Sequence, residues 1–360
     1  MISTKLKGLV LAGGRGTRLR PLTHTGAKQL VPVANRPILY YVLDNLSEAG
    51  VRDVGIIISP ESGKAIQEAV SNGGNWAMNV EYIVQEEPRG LAHAVKAARG
   101  FLGTDPFIMY LGDNLIGSGI RALCENFEHS AADASILLKE VADASSFGIA
   151  EVDAAGRVMR LIEKPKEPRS NLALVGIYFF SNKIHDAIDR IRPSWRGELE
   201  ITDAVQELLD QGCIVSSQRL DGWWLDTGKK DDLLTANTVV LDEWVKRRID
   251  GEVDARSHVT GRVQLGCGSH VINSTIRGPV VIAENVLIEN SFVGPFTSVA
   301  SGCRIASSVL EHCVLLENAR IENIDRLEDS LIGKNSAVIK SDNTHHAYRL
   351  MLGDDSEVAL

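Results

Sequence analysis

Through its first part the chain alternates short apolar runs with stretches whose apolar residues recur at helical spacing. Leu9–Ala12, Val54–Ser59, Val80–Gln85, Phe107–Leu111 and Ser135–Val141 read as strands. Ile38–Ala49, Lys64–Ser71 and Ala92–Arg99 read as helices between them. Gly148–Val152, Val158–Glu163, Ala173–Phe180 and Ile214–Leu220 add further strands. Alternation of this kind predicts an α/β domain, a mostly parallel sheet covered by helices on both faces. Asp231–Ile249 reads as a long helix that bridges to something else.

From Val253 the period changes to six. Val253, Val259, Leu265 and Val271 are followed, after a slip of one, by Ile276, Ile282 and Ile288. The run resumes at Val293, Val299 and Ile305, then Val309, Leu315, Ile321 and Leu327, then Ile332 and Val338. A six-residue period suits neither a helix nor a lone strand. It is the hexapeptide pattern of a parallel β-helix, in which each flat face contributes one inward residue. The resemblance is to left-handed β-helix domains, and three hexads per coil imply about five coils. The expected division is a first domain over 1–235, a helical linker over 236–252, the β-helix over 253–340 and a tail over 341–360 with no fold assigned.

The first strand runs into the most glycine-rich turn of the chain: Leu11 and Ala12 lead to Gly13, Gly14 and Gly16, then Thr17 and Arg18. Glycines let backbone N–H groups approach an anion closely, and Arg15 and Arg18 add positive charge. A strand ending in such a loop is where a nucleotide sits in an open α/β sheet. Two common phosphate loops are excluded. A Walker A loop needs Gly-Lys-Ser/Thr, which is absent, and a dinucleotide fingerprint needs a third Gly where Leu19 stands.

The form L-A-G-G-x-G-T-R-L-x-P-L-T, continued by Gly26-Ala-Lys28-Gln29-Leu-Val-Pro32 up to Pro37, resembles the sugar nucleotidyltransferases. Within them the chain is most similar to glucose-1-phosphate thymidylyltransferases of the long form, which carry a C-terminal extension. The resemblance implies a Rossmann-like nucleotidyltransferase domain ahead of the left-handed parallel β-helix. It also implies Mg2+-dependent transfer of a nucleotidyl group from dTTP to glucose 1-phosphate, giving dTDP-glucose and pyrophosphate. A sugar-phosphate oxygen attacks the α-phosphorus; it is already an anion, so cations and N–H donors matter more than a general base.

The resemblance assigns roles residue by residue. Arg18 and Lys28 would hold the triphosphate, and Leu11, Gly13, Gly14, Gly16 and Thr17 would line the nucleotide. Asp113, in Tyr110-Leu-Gly-Asp-Asn114, and Asp226, in Trp223-Trp-Leu-Asp-Thr-Gly228, would carry Mg2+. Hard carboxylate oxygens suit that ion, with substrate phosphates completing its shell. Gln29, Gln85 and Gly90 would contact thymine; Gln85 opens Q-x-x-P-x-G-L-A-x-A. Glu163 and Lys164 would take the sugar and its phosphate, with Phe147, Gly148, Leu174 and Tyr178 lining the pocket. Phe147 stands where short-form enzymes more often have Tyr. The segment from Gly197 to Asp203 also resembles the family, without assigned roles.

Composition narrows the alternatives. The chain has 360 residues, enough for two domains, and 44% of them are apolar. A net charge of −9 argues against nucleic acid or an anionic membrane as partner. The five cysteines lie far apart without a CxxC, which argues against a disulfide framework or a zinc site. No run resembles a leader or a membrane span, so the cytoplasm is the expected location. A uridylyltransferase, with or without acetyl transfer in the β-helix, is the enzymatic alternative. A regulatory sugar-nucleotide-binding subunit is the non-enzymatic one; it predicts losses among Arg18, Lys28, Asp113, Lys164 and Asp226, all of which are present. His258, His270, His312, His345 and His346 fit no acetyl-transfer motif, so the coils are expected to build a homo-oligomer, with a trimer favoured.

Overall fold

Leu9, Val10 and Leu11 are fully or nearly buried because both faces of their strand are covered. In the computed structural model Val10 points into one core with Ile56, Ile108 and Ile177, while Leu9 and Leu11 point into the other with Ile57 and Met109. This is the alternation of a strand between two helical layers, and it explains why the run has no polar positions. The described residues are 6–14, 16–20, 27–228 and 230–340. Arg15, Gly26, the side chain of Thr17 and the tail with His345 and His346 lie outside them.

Two compact units divide between Asp226 and Thr227, with Val31–Pro37 and the segment beginning at Gly16 counted in the second. In the first unit the strands are β1 (Lys7–Leu11), β2 (Asp53–Ile58), β3 (Asn79–Val84), β4 (Phe107–Leu111), β5 (Asn114–Ile116) and β6 (Ala134–Glu140). They continue with β7 (Gly148–Val152), β8 (Val158–Glu163), β9 (Leu172–Phe180), β10 (Val215–Arg219) and β11 (Trp224–Asp226). Nine of them form one sheet in the order β8-β7-β9-β4-β1-β2-β3, with β6 on β9 and β10 on β6. The half from β4 to β3 is parallel. Beyond β4 the ladders with β9, β7 and β8 are antiparallel, and for β7 and β8 the turn from Val152 to Val158 is too short for a crossover helix.

In the second unit three all-parallel sheets of six, six and five strands stack as a left-handed β-helix. Val263 pairs with Val280 and Val280 with Thr297, a step of 17 residues. A 17-residue coil is one short of three hexads, which is the origin of the recurring slip in the sequence. Pairing of Ser298 with Val314 and Arg304 with Arg320 shortens one coil to 16. The inward residue there is Leu310, at 0% exposure, and not the expected Val309, which is only half-buried. Corner backbone groups are met by a serine ladder: the N–H of Ser274, Ser291 and Ser308 each donates to the hydroxyl of the serine one coil earlier.

Two further expectations are corrected. The helix expected over 231–249 runs from Lys230 to Trp244 and stops there. Arg248–Ile249 instead pairs in parallel with Gln264–Leu265, so the coil ladder claims backbone groups that a longer helix would have used. Val253, expected to face inward, is 37% exposed, because it belongs to the outermost strand of its sheet and has a coil on one side only. The helix is pinned within its unit by Asn237, whose Oδ1 accepts from the Ala34 N–H at 2.9 Å and the Ser298 hydroxyl at 2.6 Å.

Candidate active site

Four parallel strands deliver their carboxyl ends to one edge of the first unit. Gly13 follows β1, Ser59 follows β2, Gln85 follows β3 and Gly112 follows β4. The Ala12 N–H donates to Ile57 O at 2.9 Å and the Gln85 N–H to Ile58 O at 2.9 Å, which keeps these ends level. Ligands bind at this edge in open α/β sheets.

Asp113 and Asp226 are far apart in sequence, and the sequence by itself gave no reason for them to meet. The reason is the small ladder between β5 and β11, in which Asp226 lies opposite Asn114. Asp113, one residue before Asn114, is thereby brought beside it. Lys28 Nζ donates to Asp113 Oδ2, and both side chains are largely buried. Asn114 Nδ2 donates to Asp113 Oδ1 at 3.0 Å. The Asn114 carbonyl oxygen accepts from Trp224 Nε1 at 2.7 Å and from the Gly176 N–H at 3.3 Å. Asn114, 2% exposed, therefore ties together the strand ends that carry both aspartates. It stood in the Tyr110–Asn114 motif, but only its contacts reveal its role.

Gln29 follows Lys28 in a 3-10 turn over Lys28–Leu30 and is 2% exposed. It lies against Gly112 and the Gly14 loop: a Cβ on Gly112 would meet Gln29 Cγ at 3.2 Å, and one on Gly14 would meet Nε2 at 3.5 Å. Its Oε1 has no hydrogen-bond partner among the described residues. A buried acceptor left unpaired costs about 1–3 kcal/mol, so it points to a donor brought by a ligand. Gln85 Nε2 donates to Gly90 O at 3.2 Å and meets His93 Nδ1 at 3.0 Å. Gly90 has a reason of its own to be glycine: its φ is +101° and a Cβ there would fall 2.4 Å from Leu199 O.

A second cluster gathers where β8 ends. Glu163 Oε2 accepts from the Thr202 hydroxyl at 3.2 Å, and Oε1 lies 3.4 Å from Arg196 Nη1 and 3.8 Å from Lys164 Nζ. Burial pushes the Glu163 carboxyl above the usual carboxylate range, and Lys164, the Thr202 bond and Arg196 only partly offset it. A Cβ on Gly148 would sit 2.7 Å from Thr202 Cγ2 and 3.1 Å from Glu163 Oε2, so only glycine leaves this carboxylate in place. Lys164 holds a φ of +42°, and its N–H donates to Phe147 O at 3.1 Å. Left-handed backbone at a non-glycine residue is strain of the sort that gathers at functional sites.

The Phe147 ring packs on Trp224 at 5.2 Å between centroids. Through Trp224 and Asn114 the two clusters are continuous. Leu174 and Tyr178, at 5% and 4% exposure, lie in the core under the sheet, with Tyr178 stacked on Phe180. Gly16 and Arg18 belong to the second unit; Arg18 is exposed on a 3-10 turn over Thr17–Leu19. Arg196, Thr202, Trp224 and His93 were not singled out by sequence reasoning. All four stand in or beside motifs already noted, so proximity to a motif was their only signal.

The nucleotidyl transferase family profile matches residues 7–243. Glucose-1-phosphate thymidylyltransferase of Streptomyces antibioticus is 48% identical over 356 residues, covering 99% of each chain. The low-salt glycan biosynthesis nucleotidyltransferase of Haloferax volcanii is 44% identical over 359 residues, 99% of this chain and 100% of that one. A Bacillus anthracis crystal structure named as a glucose-1-phosphate thymidylyltransferase superposes with a TM-score of 0.62 at 35% identity. It covers 65% of this chain and 94% of its own. Among the described residues no helix is long and apolar enough to cross a membrane.

Proposed function

The chain belongs to the nucleotidyl transferase family and aligns with a glucose-1-phosphate thymidylyltransferase over 99% of its residues, and on that premise we propose that it transfers a thymidylyl group from dTTP to glucose 1-phosphate, releasing pyrophosphate. The observation that carries the reading is the ladder that sets Asp226 opposite Asn114, and so beside the Asp113–Lys28 pair.

Lys28 and Arg18 would take the charge of the departing pyrophosphate, with the backbone of Gly13, Gly14 and Gly16 approaching the phosphates. Leu11 and Thr17 would line the nucleotide. Gln29 would offer its unpaired Oε1 to the imide N–H of a pyrimidine, and Gln85 and Gly90 would complete the base contact. Glu163 would accept from sugar hydroxyls and Lys164 would place the sugar phosphate in line for attack. Phe147, Gly148, Leu174 and Tyr178 would shape that pocket. The family commonly uses a divalent metal. Asp113 and Asp226 offer the hard oxygens that Mg2+ prefers, and the ion would supply charge neutralisation between the reacting phosphates. The β-helix would hold copies of the chain together.

Purified protein offered dTTP or UTP with glucose 1-phosphate is expected to release pyrophosphate faster with dTTP. The two nucleotides differ by one methyl and a 2′-OH, and a hydrophobic pocket resolves a single methyl only about 10–200-fold. No release from any pairing of nucleotide and sugar phosphate would overturn the reading. Gln29→Ala is expected to raise the KM for dTTP about ten-fold, the loss of one buried hydrogen bond to the base. It should raise the KM for UTP by a similar factor, since uracil carries the same imide N–H, while thermal unfolding stays near that of the parent. An unchanged KM for both nucleotides would remove Gln29 from base reading. Light scattering of the full chain tests assembly, and a monomer would refute it.

A further inference from the structure

The base-contact segment contains one group with no role so far. We infer that His93 is a positioning residue that locks the Gln85 amide, so that Gln85 presents its oxygen and not its nitrogen to the nucleotide. The inference rests on the reading of Gln85 as a base-contacting residue.

The geometry is specific. Gln85 Nε2 has two hydrogens and two neighbours that can take them: Gly90 O at 3.2 Å and His93 Nδ1 at 3.0 Å. A carbonyl only accepts, so the amide nitrogen must face Gly90. His93 Nδ1 can take the second hydrogen only as a bare lone pair, with the ring proton on Nε2. In that tautomer both Gln85 donors are consumed, and Oε1 is what remains for a ligand. A proton on Nδ1 would set donor against donor and favour turning the amide over. The backbone around it cannot compensate. Leu199 N–H donates to Arg89 O at 2.8 Å and Ala92 N–H to Leu199 O at 3.1 Å, which ties the backbone on both sides of Gly90. The amide orientation is the adjustable element.

The surroundings keep the ring neutral. Partial burial and the nearby cations of Arg89 and Lys96 hold His93 below its ordinary value, with Glu87 opposing them. Lys96 is itself paired with Asp189 at 2.8 Å. The opposite wall of the cavity that His93 lines is formed by Pro193, Gly197 and Leu199, which carry no charge. His93 is thus in its accepting form at neutral pH and loses it only on acidification past the ordinary imidazole value.

The test compares the parent with His93→Asn, whose side-chain oxygen can accept but cannot titrate, and with His93→Leu, which cannot accept. The KM for dTTP of the parent is expected to climb about five-fold more than that of His93→Asn as pH falls from about 7.5 to about 5.5. The kcat ratio of the two should stay constant. At neutral pH His93→Asn should match the parent, and His93→Leu should show a KM raised about five-fold at every pH. Superimposed profiles for parent and His93→Asn, or a parental KM in His93→Leu, would overturn the inference. Imidazole 15N spectroscopy of the ligand-free protein gives a readout independent of activity. It should find the Nε2–H tautomer at neutral pH, with a titration that moves in Gln85→Leu. An Nδ1–H tautomer would sink the His93 role even in an active enzyme. Absence of activity beside the expected tautomer would instead sink the functional reading and, with it, the purpose assigned to the lock.

Discussion

Asp113→Asn is expected to lower turnover at least about a hundred-fold, and Asp226→Asn to do the same, because each removes one of two anionic oxygen donors at the point where phosphate charge must be neutralised. Asp113→Asn should also cost stability. Asp113 carries the pair with Lys28, whose side chain is only 8% exposed, so replacing that carboxylate strands a buried ammonium. A cost of about 1–3 kcal/mol is expected for Asp113→Asn. Asp226 sits at the last position of its ladder, opposite Asn114. Pyrophosphate release and urea unfolding, measured on both, separate the two effects. The double variant should be scarcely slower than either single one, since groups that act as a unit are not additive. Full activity in Asp226→Asn would break the claim that the β5–β11 ladder assembles the site.

The sequence made much of this legible, and the reasons are physical. A strand buried on both faces, such as Leu9–Leu11, can be apolar throughout, and a β-helix must repeat its inward residue at every face. Both leave strong periodic signals. The slips in the hexad pattern were visible before their cause, the 17-residue coil, was known. Val309 and Leu310 are adjacent and both apolar, and only the ladder that pairs Leu310 with the inward Val293 one coil earlier decides which turns inward. The end of the helix at Trp244 is likewise set by a partner strand, Val263–Leu265, that no local propensity contains.

The site divides in the same way. Lys28, Gln29, Asp113 and Glu163 stand in motifs that carry the resemblance to the family. Arg196 and Thr202 hold Glu163 from a different segment, one whose resemblance to the family carries no role for either residue. Gly90 was read as a ligand contact, yet its positive φ and its closeness to Leu199 are sufficient to require glycine. A motif records that a residue type is needed without recording whether fold or ligand needs it.

Asn114 is the sharpest instance, and its replacement is expected to have the second large effect. It serves four groups at once: one Asp113 oxygen, the Trp224 indole, the Gly176 N–H and, through the backbone, Asp226. Asn114→Ala would leave the indole and the Gly176 N–H buried without an acceptor and open a small cavity, at a cost of about 3 kcal/mol. It would also free Asp113 from its Asn114 hydrogen bond and loosen Trp224, on which Phe147 packs. Turnover should fall about a hundred-fold, because in-line transfer tolerates little misplacement of its charged groups. Asn114→Asp makes the contrast. It keeps an acceptor for Trp224 and Gly176, so most of the stability should return, but it replaces the donor facing Asp113 with a further anion and should stay slow. Urea unfolding and pyrophosphate release, measured on both variants, decide the matter. Recovery of rate together with stability in Asn114→Asp would mean that Asn114 serves the fold alone. Recovery of stability without rate ties its amide to the alignment of the two carboxylates.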